Sequence, residues 1–148
     1  MTMARQLNHE ETFQLVLSMH RLLRTLRPAR NTSGLPATQL LVLAELSRSG
    51  PQRIGELAVQ VQSSQPTATN VVRWLEQAGL VRRKVDPEDG RAIRVDLTDL
   101  GGEKLLSVVH SEAELLAQRM AELTPAELDL LLGASAVLRR LTEPPSTR

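Results

Sequence analysis

The chain has 148 residues, 41% of them hydrophobic and 24% charged, and a net charge of +1, which suits one soluble domain with a single sizeable core. It contains no cysteine, which excludes disulfides, thiolate metal sites, a cysteine nucleophile and thiol redox sensing. Phe13 and Trp74 are the only aromatic residues, so the core has to be aliphatic, built from Leu, Val and Ala.

Residues 8–27 read as a helix. Phe13, Val16, Leu17, His20 and Leu23 recur at helical spacing, and Leu15, Met19, Leu22 and Leu26 do so on a neighbouring face. An apolar surface that broad needs more than one partner. Pro28 is expected to end this helix, and 31–34 (NTSG) to form a loop. Arg21, Arg24, Arg27 and Arg30 recur every three residues and read as a solvated stripe. A second helix is expected from Pro36, in its first turn, to Ser47, with Leu40, Leu43, Ala44 and Leu46 inward. After the break at 49–51 (SGP), a short helix covers Arg53 to Gln60.

Gln62–Ser63 is a polar turn. The next helix spans 64–78, capped by Ser63 or Ser64, with Pro66 in its first turn. Val71, Val72, Leu75 and Ala78 form its apolar stripe, and Gly79–Leu80 is a glycine stop. Trp74, late in this helix, is expected to pack against the sheet or the long helices. The period then changes. Leu80–Val85 and Ala92–Leu97 alternate partially around Asp86-Pro-Glu-Asp-Gly-Arg91, which reads as a β-hairpin. Thr98 can cap a long helix to about Leu123. Thr124-Pro-Ala-Glu127 is a capping box that opens a last helix to about Leu141, and 144–148 (PPSTR) is a tail.

The order helix, helix, turn, helix, hairpin is a winged helix-turn-helix. The fold class is therefore mainly α, with a two- to three-stranded β-wing and helical segments at both ends. A helix of this kind enters a major groove and presents its N-terminal side chains to base edges. Ser64, Gln65, Thr67, Thr69, Asn70 and Arg73 are all hydrogen-bonding types, and the first acid on the helix is Glu76. Gln and Asn can pair with adenine, and Arg with guanine. The hairpin adds Arg82, Arg83, Lys84, Arg91 and Arg94, and an arginine at a wing tip can enter a minor groove. Charge is distributed to match: residues 62–95 carry +2, and residues 96–148 carry −4.

Residues 54–105 resemble the MarR family of bacterial regulators. The matching elements are I-x-E-L-A at 54–58, S-x-x-T-x-T at 64–69, L-E-x-x-G-L-V at 75–81, D-P-x-D-x-R at 86–91 and L-T-x-x-G at 97–101. Leu35-x-x-x-Gln39 and the flanking helices extend the match, so that 1–148 reads as a single domain of this type. The resemblance implies a winged helix-turn-helix DNA-binding lobe at 35–97 and a helical dimerisation region at 1–30 and 98–143. It implies a homodimer that binds pseudo-palindromic double-stranded DNA and represses transcription. The DNA-binding residues would be Ser64, Gln65, Pro66, Thr67, Thr69, Asn70, Arg73, Lys84, Asp89 and Arg91, with Asp89 holding Arg91 at the wing tip. Many members release DNA on binding small aromatic or phenolic compounds, in a pocket between the dimerisation helices and the DNA-binding lobe. Asn70 stands where the family often has a basic residue.

No catalytic constellation or cofactor motif is present: there is no phosphate-binding glycine loop, no G-x-S-x-G and no H-E-x-x-H. His9, His20 and His110 have no close pair at ligand spacing, so no metal is expected. No run approaches the ~18 apolar residues of a membrane span, and residues 1–13 lack the pattern of a signal peptide. A cytoplasmic protein is expected. A winged-helix module that binds protein instead of DNA is the alternative reading; the near-zero net charge favours it and the basic wing opposes it.

Overall fold

The computed structural model describes residues 8–32 and 34–142. In chain order these residues form α1 (His9–Thr32), α2 (Ala37–Ser49), β1 (Gln52–Arg53), α3 (Ile54–Gln60), α4 (Gln65–Gln77), β2 (Val81–Val85), β3 (Ile93–Leu97), α5 (Asp99–Met120) and α6 (Pro125–Thr142). They divide into two compact units, one reaching to Glu112 within α5 and one beginning at Ala113. The expected tail at 144–148 lies outside the described residues.

The first unit is a winged helix-turn-helix. Val42, Leu43, Leu57, Val72, Leu75 and Val95 are fully buried, so α2, α3, α4 and the sheet share one aliphatic core. In α2 the inward face includes Val42, while Ala44, expected inside, is exposed. Pro36 is the cap residue of α2 rather than part of its first turn. Along α4 the buried stripe is Ala68, Val72 and Leu75; Ala78, expected to be buried, is exposed. The helix expected to stop at Pro28 runs on to Thr32, so Asn31 and Thr32 are helical rather than looped. An interior proline removes one hydrogen bond and crowds the preceding turn, at a cost of roughly 3 kcal/mol; that disfavours a helix without forbidding it.

Both helices of the helix-turn-helix are closed at their C-terminal ends by backbone hydrogen bonds. At the end of α3, Ser63 N–H reaches Ala58 O at 2.8 Å and Gln62 N–H reaches Val59 O at 3.1 Å, with Gln62 at φ 51°. At the end of α4, Leu80 N–H donates to Leu75 O at 2.9 Å and Gly79 N–H to Glu76 O at 3.0 Å. This is the two-bond glycine cap, with Gly79 at φ 73°. A Cβ on Gly79 would meet only Leu100 Cδ2, at an ordinary 3.8 Å. The cost of Gly79→Ala is therefore conformational, about 1 kcal/mol. It should appear in urea unfolding as a lower midpoint at unchanged slope.

The sheet is antiparallel in the order β1-β3-β2. Arg83 faces Val95, and Val85 faces Ile93 across the hairpin. The hairpin matches expectation. The third strand, β1, places Gln52 opposite Val95 and Arg53 opposite Arg94; two residues are too few to leave a periodic signal. The start of α5 locks onto the end of α4. Thr98 Oγ1 donates to Gly79 O at 2.6 Å and accepts from Gly101 N–H at 3.0 Å.

The second unit is the end of α5 and α6, joined by the expected capping box. Thr124 N–H donates to Glu127 Oε2 at 2.9 Å, and Glu127 N–H points back to Thr124 Oγ1 at 3.4 Å. Ala117, Met120, Ala121, Leu128 and Leu132 line an apolar pocket within it. Among the described residues no helix is long and apolar enough to cross a membrane, and no three His, Asp or Glu side chains group as metal ligands.

Candidate nucleic-acid interface

The outward face of α4 carries Gln65, Pro66, Thr67, Asn70 and Arg73, all exposed, with Thr69 half-buried. Ser64 is the cap of the helix: its Oγ accepts from Thr67 N–H at 3.3 Å and pairs with Thr67 Oγ1 at 2.8 Å. Thr69 Oγ1 donates back to Gln65 O at 2.8 Å. These three hydroxyl donors are thus partly engaged in shaping the first two turns. Gln65, Asn70 and Arg73 have no side-chain hydrogen bond or ion pair among the described residues, so their donors are available to a ligand. No acid stands in the first turn. Glu76, the first acid along the helix, is bound by Arg83 Nε at 3.0 Å, which also ties the wing strand to α4.

The wing is held by a buried carboxylate that sequence reasoning did not single out. Asp86 has a side chain with 0% exposure. Its Oδ2 accepts from Arg53 Nε at 2.8 Å and lies 2.7 Å from Arg53 Nη2 and 2.9 Å from Arg94 Nε. The Arg94 Nε–H is not aimed at the oxygen, so this second contact is an ion pair without a directed hydrogen bond. Asp86 Oδ1 accepts from Glu88 N–H at 2.9 Å, an aspartate turn that folds the loop. The Glu88 N–H and the guanidiniums of Arg53 and Arg94 outweigh burial and hold the Asp86 carboxyl well below the usual carboxylate range. The signal that could have found it was an aspartate directly before proline at the end of a strand.

Asp89 does not hold the Arg91 guanidinium, as the resemblance implied. Its Oδ1 accepts from the Arg91 backbone N–H at 3.1 Å, and its Oδ2 sits 3.6 Å from Arg53 Nη2. The reason is local: a second aspartate turn takes the backbone, and the first cation within reach is Arg53.

The remaining basic side chains of the wing are mostly neutralised. Asp96 takes Lys84 Nζ at 2.6 Å and Arg82 Nη2 at 2.9 Å. Burial raises the Asp96 carboxyl, but these two cations win and hold it below its ordinary value. Arg94 also reaches Glu88 at 3.4 Å. Arg91 is exposed and is the one wing cation without an acidic partner among the described residues. On α1, Arg21, Arg24 and Arg27 are exposed, as expected of a solvated stripe; the side chain of Arg30 lies outside the described residues. The arrangement is a polar, acid-free helix face and one free arginine on a clamped loop, which suits hydrogen bonding to base edges and phosphate.

Comparison with known proteins points the same way. The model of the MarR family matches residues 35–93. The HTH-type transcriptional regulator MT0903.1 of Mycobacterium tuberculosis is 32% identical over 129 residues, covering 87% of this chain and 90% of that protein. The HTH-type transcriptional repressor MdtR of Bacillus subtilis is 27% identical over 135 residues, covering 88% and 85%. Among solved structures, a MepR mutant of S. aureus bound to an oligodeoxyribonucleotide superposes with a TM-score of 0.65 at 18% identity, covering 93% of this chain and all of that one.

Proposed function

The chain belongs to the MarR family of transcriptional regulators, and from that premise we propose that it is a homodimeric repressor that binds pseudo-palindromic operator DNA in the cytoplasm. It is a regulator and not an enzyme, as its relatives are. The observation that carries the reading is the outward face of α4, where Gln65, Asn70 and Arg73 are exposed and uncommitted. In this reading Ser64, Gln65, Pro66, Thr67, Thr69, Asn70 and Arg73 contact bases or phosphates of the major groove. Arg91 reaches the flanking minor groove, with Lys84 and Asp89 beside it. Half-sites would lie about 34–36 Å apart.

Dimerisation is supported by apolar side chains that the described residues leave uncovered. On α1 these are Phe13, Val16, Met19 and Leu23; on α6 they are Leu130, Leu132 and Leu141. A second copy is the partner that would bury them. Repression is supported by the name of the MdtR relative, and DNA binding by the oligonucleotide bound to MepR.

Release by a small aromatic or phenolic effector belongs to the same reading. Its support is an apolar groove of about 210 Å³ lined by Leu40, Leu41, Ala44, Leu105, Val108 and Val109. No aromatic side chain lines it, so a ring would be held there by burial rather than by stacking.

The test is a gel-shift titration on genomic fragments recovered by selection. Arg73→Ala and Arg91→Ala should each weaken binding about tenfold or more, as expected for loss of a good arginine contact worth about 1–3 kcal/mol. Unchanged affinity in both variants would contradict the proposal.

A further inference from the structure

We infer that Trp74 is a backbone contact of the bound duplex, its ring against deoxyribose and its Nε1–H donated to a phosphate oxygen. The inference rests on α4 being the recognition helix and adds to it a residue outside the polar reading set. Trp74 was expected to pack against the sheet or the long helices, but it is 44% exposed and its indole N–H has no acceptor among the described residues. At 3.6 residues per turn, it stands on the same side of α4 as Thr67 and Asn70, away from buried Ala68, Val72 and Leu75.

Three observations favour DNA as the occupant of that surface. At helical spacing the neighbours of the ring are Asn70, Val71, Gln77 and Ala78, none of them acidic and all but Val71 exposed, and Arg73 is the adjacent residue. The nearest acid, Glu76, is already bound by Arg83, so no uncommitted carboxylate on α4 repels phosphate. The position along the helix also fits. Trp74 lies nine residues beyond Gln65, a rise of about 13.5 Å, whereas the major groove is about 8.5 Å deep. A helix that enters N-terminus first therefore carries Trp74 to the rim of the groove, where sugars and phosphates stand, and not to the base edges. Tryptophan suits a rim because it joins a large apolar body to one polar donor. Contacts of this kind fix position and affinity without carrying sequence information.

Trp74 is the only tryptophan, so its emission reports on this site alone. The full chain is titrated with selected genomic duplexes and with an unrelated duplex of equal length, while anisotropy of a label on the DNA follows binding. Acrylamide quenching of Trp74 should fall at least twofold at saturation with either duplex. Trp74→Ala should weaken both complexes by about tenfold, leaving their ratio unchanged. Trp74→Phe, which keeps a ring and loses the donor, should fall between. Circular dichroism confirms that each variant is folded.

Binding without a change in quenching would overturn the inference, as would wild-type affinity of Trp74→Ala. A loss confined to the selected sequence would make Trp74 a base reader instead. Quenching that is already low in the free protein and insensitive to DNA would assign the ring to a second copy of the chain. If no duplex binds at all, the reading of α4 fails first, and the role of Trp74 falls with it.

Discussion

Asp86→Asn should lower the melting temperature by about 10 °C and weaken DNA binding about tenfold at temperatures where the variant is still folded. The side chain is fully buried and faces two guanidiniums, Arg53 from the sheet edge and Arg94 from the wing strand. Asparagine keeps the shape and removes the charge, leaving two cations around a neutral amide. Breaking a buried ion pair from one side is among the costliest of single changes, and a loss of that order corresponds to a shift of about 10 °C in a chain of this size. The DNA effect follows from position. The same carboxylate accepts Glu88 N–H and so shapes the loop that ends in Arg91. The effect also carries a pH signature. In the unfolded chain this carboxyl titrates near 3.9, and in the fold it is held lower. Its contribution is complete above about pH 5 and is lost as pH falls through the folded value. Thermal melts from pH 7 down to pH 3 should show the wild type losing stability progressively once the pH falls below about 4, and Asp86→Asn losing less.

Gly101→Ala should destabilise the protein by about 3 kcal/mol, while Gly102→Ala, one residue on, should stabilise it by up to about 1 kcal/mol. Both glycines lie in the first turns of α5, where alanine is the better helix former by about 1 kcal/mol. Space decides the sign. A Cβ on Gly101 would fall onto the carbonyl oxygen of Leu80 and within 2.9 Å of Leu97 Cδ1, whereas one on Gly102 would meet only Leu97 Cδ2 at 3.9 Å. Leu80 cannot give way easily, because its N–H caps α4 and its carbonyl accepts from Thr98 N–H at 3.1 Å. Overpacking against backbone costs about 1–3 kcal/mol or more. Chemical denaturation of the two variants side by side checks the contrast, since a general dislike of substitution in this turn would move both the same way.

The helix-turn-helix was legible in the sequence because its punctuation is chemical. Pro66 after Ser64, Gly79 after the apolar stripe and the turn formers at 86–91 each force a boundary. The reading face was legible for the same reason: an amphipathic helix whose polar side lacks acids until Glu76 stands out in one dimension. What periodicity could not reveal were the long-range partners. Asp86 meets Arg53 across 33 positions of chain, and Lys84 meets Asp96 diagonally across the hairpin. The wing therefore looked like five free cations and presents one. Trp74 lies late in the helix, which suggested packing against the sheet or the long helices, but its register on α4 turns it outward. Pro28 was misread because one proline was allowed to end a helix that runs four residues beyond it.

The central claim is that α4 and Arg91 bind duplex DNA, and the most direct test is the salt dependence of that affinity. With Arg73 and Arg91 of two protomers each neutralising about one phosphate charge from within the grooves, the logarithm of the association constant should fall against the logarithm of salt concentration with a slope of about −4 or steeper. Arg91→Ala should reduce the steepness by about 2. A protein that is not retained on duplex DNA even at low salt, or whose slope is unchanged in Arg91→Ala, would contradict it.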